Sequence, residues 1–545
     1  MPNTIKLVVL SFIGFFLLSC EKELEKPKPP NILLILADDL AYADLGSFGG
    51  DIETPNLDQL AQEGIRFSRF HTGPFCAVSR AMLLSGNFNH VAGMGSQDLV
   101  TGVPGYEGHL SDRIVPVPEL LKSAGYHTYM AGKWHLGKTT EANPEQKGFE
   151  RSFVTIEGGA NHYSERGIFP DTPISLYTED GEQVAWPEGA YSTDFYTDKL
   201  IEYIQSNKSD GKPFFAYAAY TSPHWPLQVD EKYWKKYEGR YDEGYEVLRA
   251  QRLESLKNAG IIPASAQLPP MHPQVRPWDA LTPQEQQKEA RKMELYAGMV
   301  DNLDDNIGRL INYLKETGQY DNTLIVFLSD NGAAAEDFYY HDHFGPFLQE
   351  NYSDAYEDMG KENSFISYGP QWAEAGSSPF LYYKGYTTEG GMTAPMIISG
   401  PLVHSRNQID HQFSSIMDLA PSFYELAGVS YPKTWNGVEL APLAGSSLLP
   451  ILKGEEKLVH DSTYVFALEH RGYAMLQKGN WKLLNIQRPL ELENFQLFNL
   501  SEDPIEQDDL KERFPEKFQE LLYDWQQYAQ KVNVRIPTPQ RGEGM

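Results

Sequence analysis

Four short runs of consecutive apolar residues occur along the chain, at residues 32–37, 214–220, 324–328 and 396–399. Runs that are apolar throughout, rather than at every second position, are typical of strands covered on both faces, as in a parallel sheet. We therefore predict that all four runs are parallel strands of one buried sheet.

Helical signals lie between these runs. A helix is predicted from Thr54-Pro55 to residue 60, with Gly64 ending it, and another from Pro118 to residue 123. Proline is favoured at the first position of a helix and glycine just after its end. The longest helical pattern spans residues 284–317. Strands that alternate with helices predict the α/β class: a large, mostly parallel sheet flanked by helices.

The pattern changes after Gly454. Residues 473–476 and 481–484 flank a Gly-Asn pair and predict a hairpin, residues 495–500 predict another strand, and residues 514–532 a closing helix. We predict a large domain over residues 31–455 and a small antiparallel α+β domain over residues 456–545. Two polar segments of the large domain, 232–282 and 337–378, are predicted to be surface insertions that influence specificity.

The N-terminus is typical of an export signal. Lys6 precedes a short apolar run at residues 7–18, and the sequence LLSC at 17–20 resembles a bacterial lipobox. We predict a signal peptide over 1–19, lipid on Cys20 and a charged, proline-rich tether over 20–30. The protein would then be an exported bacterial lipoprotein, anchored to a membrane in the periplasm or at the cell surface. The alternative is an ordinary signal peptide with a chance cysteine.

Composition narrows the classes of partner. The chain has 545 residues, of which 41% are hydrophobic and 22% charged, as in folded globular proteins. The 46 Lys and Arg against 75 Asp and Glu give a net charge of −29, which argues against nucleic acid as a partner. Cys20 and Cys76 are the only cysteines, so a disulfide framework is excluded.

Polar side chains follow three of the predicted strands. Asp38 and Asp39 follow the first strand, His224 the second, and Asp330 and Asn331 the third. In open α/β sheets, ligands bind at the carboxyl ends of the strands. Carboxylate and amide oxygens suit a hard cation, calcium or magnesium, better than zinc.

A further motif lies at Cys76, which follows a Gly-Pro turn and opens a predicted helix, where the helix dipole favours negative charge. The sequence CAVSRAMLLSG at 76–86 resembles the signature of the sulfatase family, within the alkaline phosphatase superfamily. The sequence GYHTYMAGKWH at 125–135 is similar to that family's second signature. Segments 89–95, 367–373 and 384–391 place the resemblance nearest the arylsulfatase branch, and it extends from residue 31 to about residue 510.

The resemblance implies an alkaline phosphatase-like fold and a calcium-dependent sulfatase that hydrolyses sulfated carbohydrates or aryl sulfates. It implies that a maturase converts Cys76 to formylglycine, whose hydrate attacks sulfur, and that Arg80 orients this hydrate. Lys133, His224 and Lys384 would bind sulfate oxygens, His224 or Lys384 would protonate the leaving oxygen, and His135 would take a proton from the hydrate. One Ca²⁺ per chain would be held by Asp38, Asp39, the modified Cys76, Asp330 and Asn331.

One position departs from the family pattern. Val78 stands where the family usually has proline or alanine, within the segment that the maturase reads. If Cys76 is not converted, the alternative is a non-catalytic glycan-binding protein with this fold. A second alternative is a phosphodiesterase or phosphonate ester hydrolase of the same superfamily, because these enzymes can also use formylglycine.

Overall fold

The computed structural model describes residues 29–97, 99–455 and 457–535. The predicted signal peptide, Cys20, most of the tether and the last ten residues of the predicted small domain lie outside the described residues. In the part of the chain that is described, no helix is both long and apolar enough to cross a membrane.

A ten-stranded mixed sheet forms the core of the large domain. Its five central strands run parallel to one another, which confirms the predicted α/β class. From one edge to the other the strands are Gln408–Asp410, Ile65–Phe67, Met396–Ser399, Thr323–Ser329, Asn31–Ala37, Phe214–Ala219, His127–Lys133, Arg151–Thr155, Tyr177–Glu179 and Glu182–Val184.

The prediction of a parallel strand was wrong for Met396–Ser399, which is antiparallel to both of its neighbours. The chain that precedes it stays at the carboxyl end of the sheet. There, Lys384 N donates to Ala333 O at 3.1 Å and Gly332 N donates to Gly391 O at 3.1 Å. A parallel strand would require a crossover back to the opposite end of the sheet, and this segment makes none.

Helices cover both faces of the sheet. Alternate residues of Asn31–Ala37 enter two separate hydrophobic clusters, Leu33 and Ile35 on one face, Ile32 and Leu34 on the other. This two-sided burial explains why the strand is apolar throughout. The flanking helices are Pro55–Glu63, Ser192–Asn207 and Pro283–Glu316 on the first face, and Cys76–Ser85, Val117–Ser123 and Leu419–Ala427 on the second.

Segment 232–282 is more than a surface insertion. Its helix Tyr245–Asn258 buries Leu256 in the main core, together with Tyr237 and Tyr241 from the preceding turn. The buried side chains, many of them tyrosines, are separated by charged residues, so the segment has the polar composition of a surface loop. Segment 337–378 also contains regular structure, the helices Gly345–Asn351 and Gly369–Gly376.

The C-terminal region forms an antiparallel sheet, as predicted. Its helix, Pro515–Val532, packs on one face of the sheet through Trp525. The other face, with Phe466 and Leu468, joins a hydrophobic cluster of the large domain. The four strands are Val465–His470, Tyr473–Lys478, Trp481–Asn485 and Gln496–Asn499.

Candidate active site

All ten predicted site residues lie together at the carboxyl end of the central strands. The acidic pairs and His224 follow three of these strands, Lys133 ends a fourth, and His135 comes two residues later. Helix Cys76–Ser85 contributes its first residue and Arg80, and a loop beside the sheet contributes Lys384. Residues separated by more than 300 positions in the chain therefore form one buried cluster.

Each of the three carboxylates is paired with a buried cation. Lys133 Nζ lies 2.9 and 2.7 Å from the two oxygens of Asp38. Arg80 donates from Nε and Nη2 to Asp330 Oδ2 at 3.1 and 2.9 Å. Lys384 Nζ donates to Asp39 Oδ2 at 2.8 Å. The site therefore contains three positive side chains, although the net charge of the whole protein is strongly negative.

The donor set fits a hard cation. Asn331 donates from Nδ2 to Asp39 Oδ1 at 2.6 Å, but its Oδ1 is buried and has no hydrogen-bond partner among the described residues. Ligand atoms of Asp38, Asp39, Cys76 and His224 lie within 4.8 Å of one another. An orphaned amide oxygen beside several carboxylates is the arrangement expected of calcium or magnesium ligands.

The charges of the carboxylates are unequal. Burial opposes ionisation of Asp39, but the charge of Lys384 holds the pKa of this carboxyl well below its usual range. Burial and the neighbouring Asp38 raise the pKa of Asp330 to about 7, despite the contact with Arg80. A cation bound between them would favour the ionised form of every carboxylate.

Cys76 is 2% exposed, and its Sγ lies 3.8 Å from Asp39 Oδ1. Burial raises the pKa of the thiol well above its ordinary value, although Lys133 and Lys384 oppose this. The expectation that a helix N-terminus favours negative charge is therefore outweighed by desolvation. The unmodified thiol is neutral, and a neutral thiol is a weak nucleophile.

Val78 packs into the hydrophobic cluster next to Gly73.

Two histidines complete the site. Burial, followed by the charges of Lys133 and other cations, lowers the pKa of His135 well below its ordinary value. Burial does the same for His224, although Asp39 opposes it. His224 Nδ1 donates to the carbonyl oxygen of Trp225 at 2.6 Å, which leaves Nε2 without a proton in the neutral ring. His135 Nδ1 is buried and has no partner among the described residues.

Glycines provide the space for these rings. A Cβ on Gly158 would lie 2.6 Å from His135 Cε1, and one on Gly159 would lie 3.1 Å from His224 Cε1. A Cβ at residue 158 would therefore collide with the His135 ring, whereas one at residue 159 would require its neighbours to shift by a few tenths of an ångström.

The sequence analysis did not identify two polar groups that border the site. Glu336 Oε1 lies 3.8 Å from Lys384 Nζ, and Trp225 follows His224 directly. Both residues come shortly after the end of a predicted strand, and this position is the one feature of the sequence that could have indicated them. A third group, Arg252, donates to Asp44 Oδ1 at 2.7 Å and fixes the turn after Asp39. Nothing in the polar segment around Arg252 indicated this contact.

Two surface cavities, of about 370 and 300 Å³, lie elsewhere. The first is bordered by Glu425 and Lys457, and the second by His411 and Asn480. Neither contains a predicted site residue, so they do not change the position of the candidate site.

Comparison with known families agrees with this geometry. The sulfatase family profile matches residues 30–429. The chain belongs to the sulfatase family. A second profile, N-sulphoglucosamine sulphohydrolase C-terminal, matches residues 380–534 of this sulfatase. The protein is therefore an enzyme that hydrolyses sulfuric esters, with the predicted alkaline phosphatase-like fold.

The sulfatase is 39% identical over 429 residues to an arylsulfatase of Klebsiella aerogenes, covering 77% of this chain and 92% of the relative. It is 38% identical over 531 residues to an uncharacterized sulfatase of Schizosaccharomyces pombe, covering 93% and 94% of the two chains. Among solved structures, Ps i-CgsB in complex with k-i-k-neocarrahexaose has a TM-score of 0.65 at 24% identity, covering 94% of this chain and 96% of that chain.

Proposed function

We propose that this enzyme is a calcium-dependent sulfatase that hydrolyses sulfate esters of carbohydrates or aryl alcohols through a formylglycine made from Cys76. The observation that carries the proposal is the position of Cys76: it is buried at a helix start, beside the carboxylates of Asp38 and Asp39 and within the electrostatic reach of Lys133 and Lys384.

Calcium would be held by Asp38, Asp39, Asp330 and Asn331, together with an oxygen at position 76. Its role would be to supply positive charge beside the sulfate group. The unpartnered Oδ1 of Asn331 supports this assignment, because a buried amide oxygen without a partner costs free energy unless a ligand satisfies it.

The modification at position 76 would supply what a thiol lacks. A hydrated formyl group has two hydroxyl oxygens on one carbon. One oxygen would attack sulfur and displace the alcohol; loss of the proton from the other would then break the C–O bond to sulfate and restore the aldehyde. A formylglycine-generating maturase would be the partner that makes it. Arg80 is almost completely buried and fixed by Asp330 and the carbonyl of Lys133, so it can hold the hydrate in one orientation.

The proton transfers follow from the charge states. Burial opposes the protonated form of Lys384, but the carboxylate of Asp39 raises its pKa well above the ordinary value, so Lys384 holds a proton. His224 Nε2 does not, so we assign protonation of the leaving oxygen to Lys384. His135 is neutral and can accept a proton from a hydroxyl at position 76. Lys133 would hold a sulfate oxygen as a fixed cation.

The test combines mass spectrometry with kinetics. Protein made beside a maturase is digested, and the peptide of residues 70–80 is weighed for an aldehyde in place of the thiol. Rates are then compared on 4-nitrophenyl sulfate and bis(4-nitrophenyl) phosphate, with C76A as the inactive control. An aldehyde and faster sulfate hydrolysis support the proposal. Faster phosphodiester hydrolysis favours the phosphodiesterase, and glycan binding without turnover by an intact thiol favours the binding protein.

We also propose that lipid on Cys20 anchors the enzyme in the periplasm or at the cell surface. The support is the sequence LLSC at 17–20 after a short apolar run. Fractionation of the native host tests it: the enzyme should enter the detergent phase and C20S the aqueous phase. Wild-type enzyme in the aqueous phase, with no lipid on Cys20, would contradict the anchor.

A further inference from the structure

Glu336 is a carboxylate at the site that the mechanism above does not use. Its side chain is 25% exposed, and its Oε1 lies 3.8 Å from the Nζ of Lys384. Its other oxygen, Oε2, is buried and has no hydrogen-bond partner among the described residues. A carboxylate oxygen in this condition is an acceptor that lacks a donor.

Trp225 supplies an unpaired donor in the same place. Its side chain is 5% exposed, and its Nε1 is buried with no partner in the described structure. Burial raises the pKa of the Glu336 carboxyl, although Lys384 and the neighbouring indole oppose this, and the indole and the carboxyl group do not have hydrogen-bond geometry. A hydroxyl can donate one hydrogen bond and accept another, so one hydroxyl would satisfy both groups.

A chain of aromatic rings extends from this point. The centroid of the Trp225 ring lies 4.1 Å from that of the His224 ring and 4.8 Å from that of the Phe338 ring. Phe338 in turn lies 4.6 Å from Phe344, and both rings are partly exposed. We call Trp225, Phe338 and Phe344 the aromatic shelf. Aromatic faces beside a carboxylate that accepts hydroxyls suit a sugar ring, which has apolar C–H faces and polar edges.

We propose that Glu336 and the aromatic shelf form a subsite for a carbohydrate sulfate that has a free hydroxyl on the carbon next to the sulfated carbon. This inference rests on the proposed sulfatase function and specifies its substrate class. Lys384 would contact the leaving oxygen, and Glu336 the neighbouring hydroxyl. Because each contact spans about 2.8 Å, two groups as close as these reach oxygens on neighbouring carbons.

The acceptor oxygen of Glu336 also selects against other substrates. A second sulfate at the neighbouring position has no hydrogen to donate, so it would place its own acceptor oxygens against the oxygen of Glu336. A simple aryl sulfate has no neighbouring hydroxyl, so the acceptor would remain unpaired. Sites that are built to bind a hydroxyl discriminate strongly against analogues that lack it.

The test uses the full-length enzyme with confirmed formylglycine and the ring monosulfates of D-galactose and D-glucose. For the best of these sugars, kcat/KM is also measured on the analogue whose neighbouring hydroxyl is replaced by hydrogen. In the wild-type enzyme, kcat/KM should be higher for the parent sugar sulfate than for its deoxy analogue. In E336Q the ratio of these two kcat/KM values should fall about tenfold. W225F, which keeps a ring but removes the N–H, should lower the same ratio. The matched control is E350Q, an exposed residue of the same segment.

The outcomes separate this inference from the proposed function. Hydrolysis of 4-nitrophenyl sulfate with an unchanged ratio in E336Q would overturn the subsite but leave the sulfatase proposal standing. Wild-type enzyme that cleaves 4-nitrophenyl sulfate but none of the sugar monosulfates would also overturn the subsite. Failure on every sulfate ester, with formylglycine present, would overturn the proposed function itself.

Discussion

At the scale of single residues, the site is held by charges that are almost entirely removed from water. Asp38, Asp330 and Arg80 are each fully buried, and their contacts are direct ion pairs and hydrogen bonds. When one member of such a group is removed, the remaining charge is left without a partner, which costs several kcal/mol. For the metal site, a substitution that keeps the charge balance is therefore the most informative test.

Asn331 offers such a test of the metal site, because N331A removes a neutral ligand. Calcium at about one hundred times its Kd should stabilise the wild-type enzyme by about 2.7 kcal/mol. We expect the calcium-dependent rise in Tm to be at least halved in N331A, measured by thermal unfolding with calcium and after chelation. The exposed N363A is the control. An equal rise in N331A would mean that Oδ1 of Asn331 does not bind the metal.

Lys384 offers a test of the proton donor. A general acid contributes about 10²- to 10⁴-fold and matters most for a leaving group that is a strong base. We expect kcat of K384A to fall at least tenfold more on phenyl sulfate than on 4-nitrophenyl sulfate. The reason is that phenolate is a stronger base than 4-nitrophenolate, so its departure depends more on protonation. K361A, whose side chain is 62% exposed, is the control. Equal losses on both esters would assign Lys384 to sulfate binding alone.

At the scale of elements, side-chain contacts link three adjacent strands of the large sheet at the end where these strands begin. His127 begins the strand His127–Lys133, and its two ring nitrogens lie 2.7 Å from Glu150 and 2.7 Å from Asp210. These two acidic residues precede the strands on either side. One imidazole therefore links three adjacent strands at the end of the sheet opposite the site.

This link should make stability depend on pH. Burial opposes the charged imidazole, but Glu150 and Asp210 raise the pKa of His127 above its ordinary value of 6.5. The stabilisation is therefore complete below about pH 6.5 and is lost as pH rises through the raised pKa. Since the partners are partly exposed, we expect about 1 kcal/mol or less.

The measurement is Tm of wild type and H127Q at about pH 6 and about pH 8.5. The difference between the two proteins should be larger at the lower pH. A difference that does not change with pH would show that the ion pairs at His127 do not contribute.

Local sequence patterns predicted the elements better than their directions. The strands Asn31–Ala37, Phe214–Ala219 and Thr323–Ser329 were predictable because burial on both faces leaves a continuous apolar run. The direction of Met396–Ser399 was not, because it depends on where the preceding loop lies. The burial of segment 232–282 was missed because its buried tyrosines, at every fourth position from 233 to 245, lie among charged residues that give the segment a polar composition.

The candidate site was predictable for a similar reason. Strand ends and the two signature motifs placed nine of the ten residues, and the similarity of segment 384–391 to the arylsulfatase branch placed Lys384, because all of these are local features of the sequence. Glu336 and Trp225 have no motif of their own and depend on the packing of segment 337–378 against the strand ends. Their role could only be inferred from two unpaired polar atoms in the folded chain.

At the scale of the whole molecule, a buried ion network joins the small sheet to the site segments. Lys482, from the strand Trp481–Asn485, is fully buried and lies 2.8 Å from Glu389 and 2.7 Å from Glu506. Glu389 also pairs with His71 at 2.8 Å. His71 precedes Cys76, and Glu389 follows Lys384, on the same stretches of chain. The small domain is thus connected to both the Cys76 segment and the Lys384 loop.

This connection gives the last prediction. K482M removes the shared cation and leaves Glu389 and Glu506 buried without it, so we expect a loss of about 3–5 kcal/mol of stability and reduced activity at moderate temperature. The control is K478M, on the adjacent strand, whose side chain is 24% exposed and pairs with Glu520 and Asp524. It should cost about 1 kcal/mol or less. Thermal unfolding followed by sulfatase assays measures both effects, and equal costs in the two variants would mean that the network does not couple the domains.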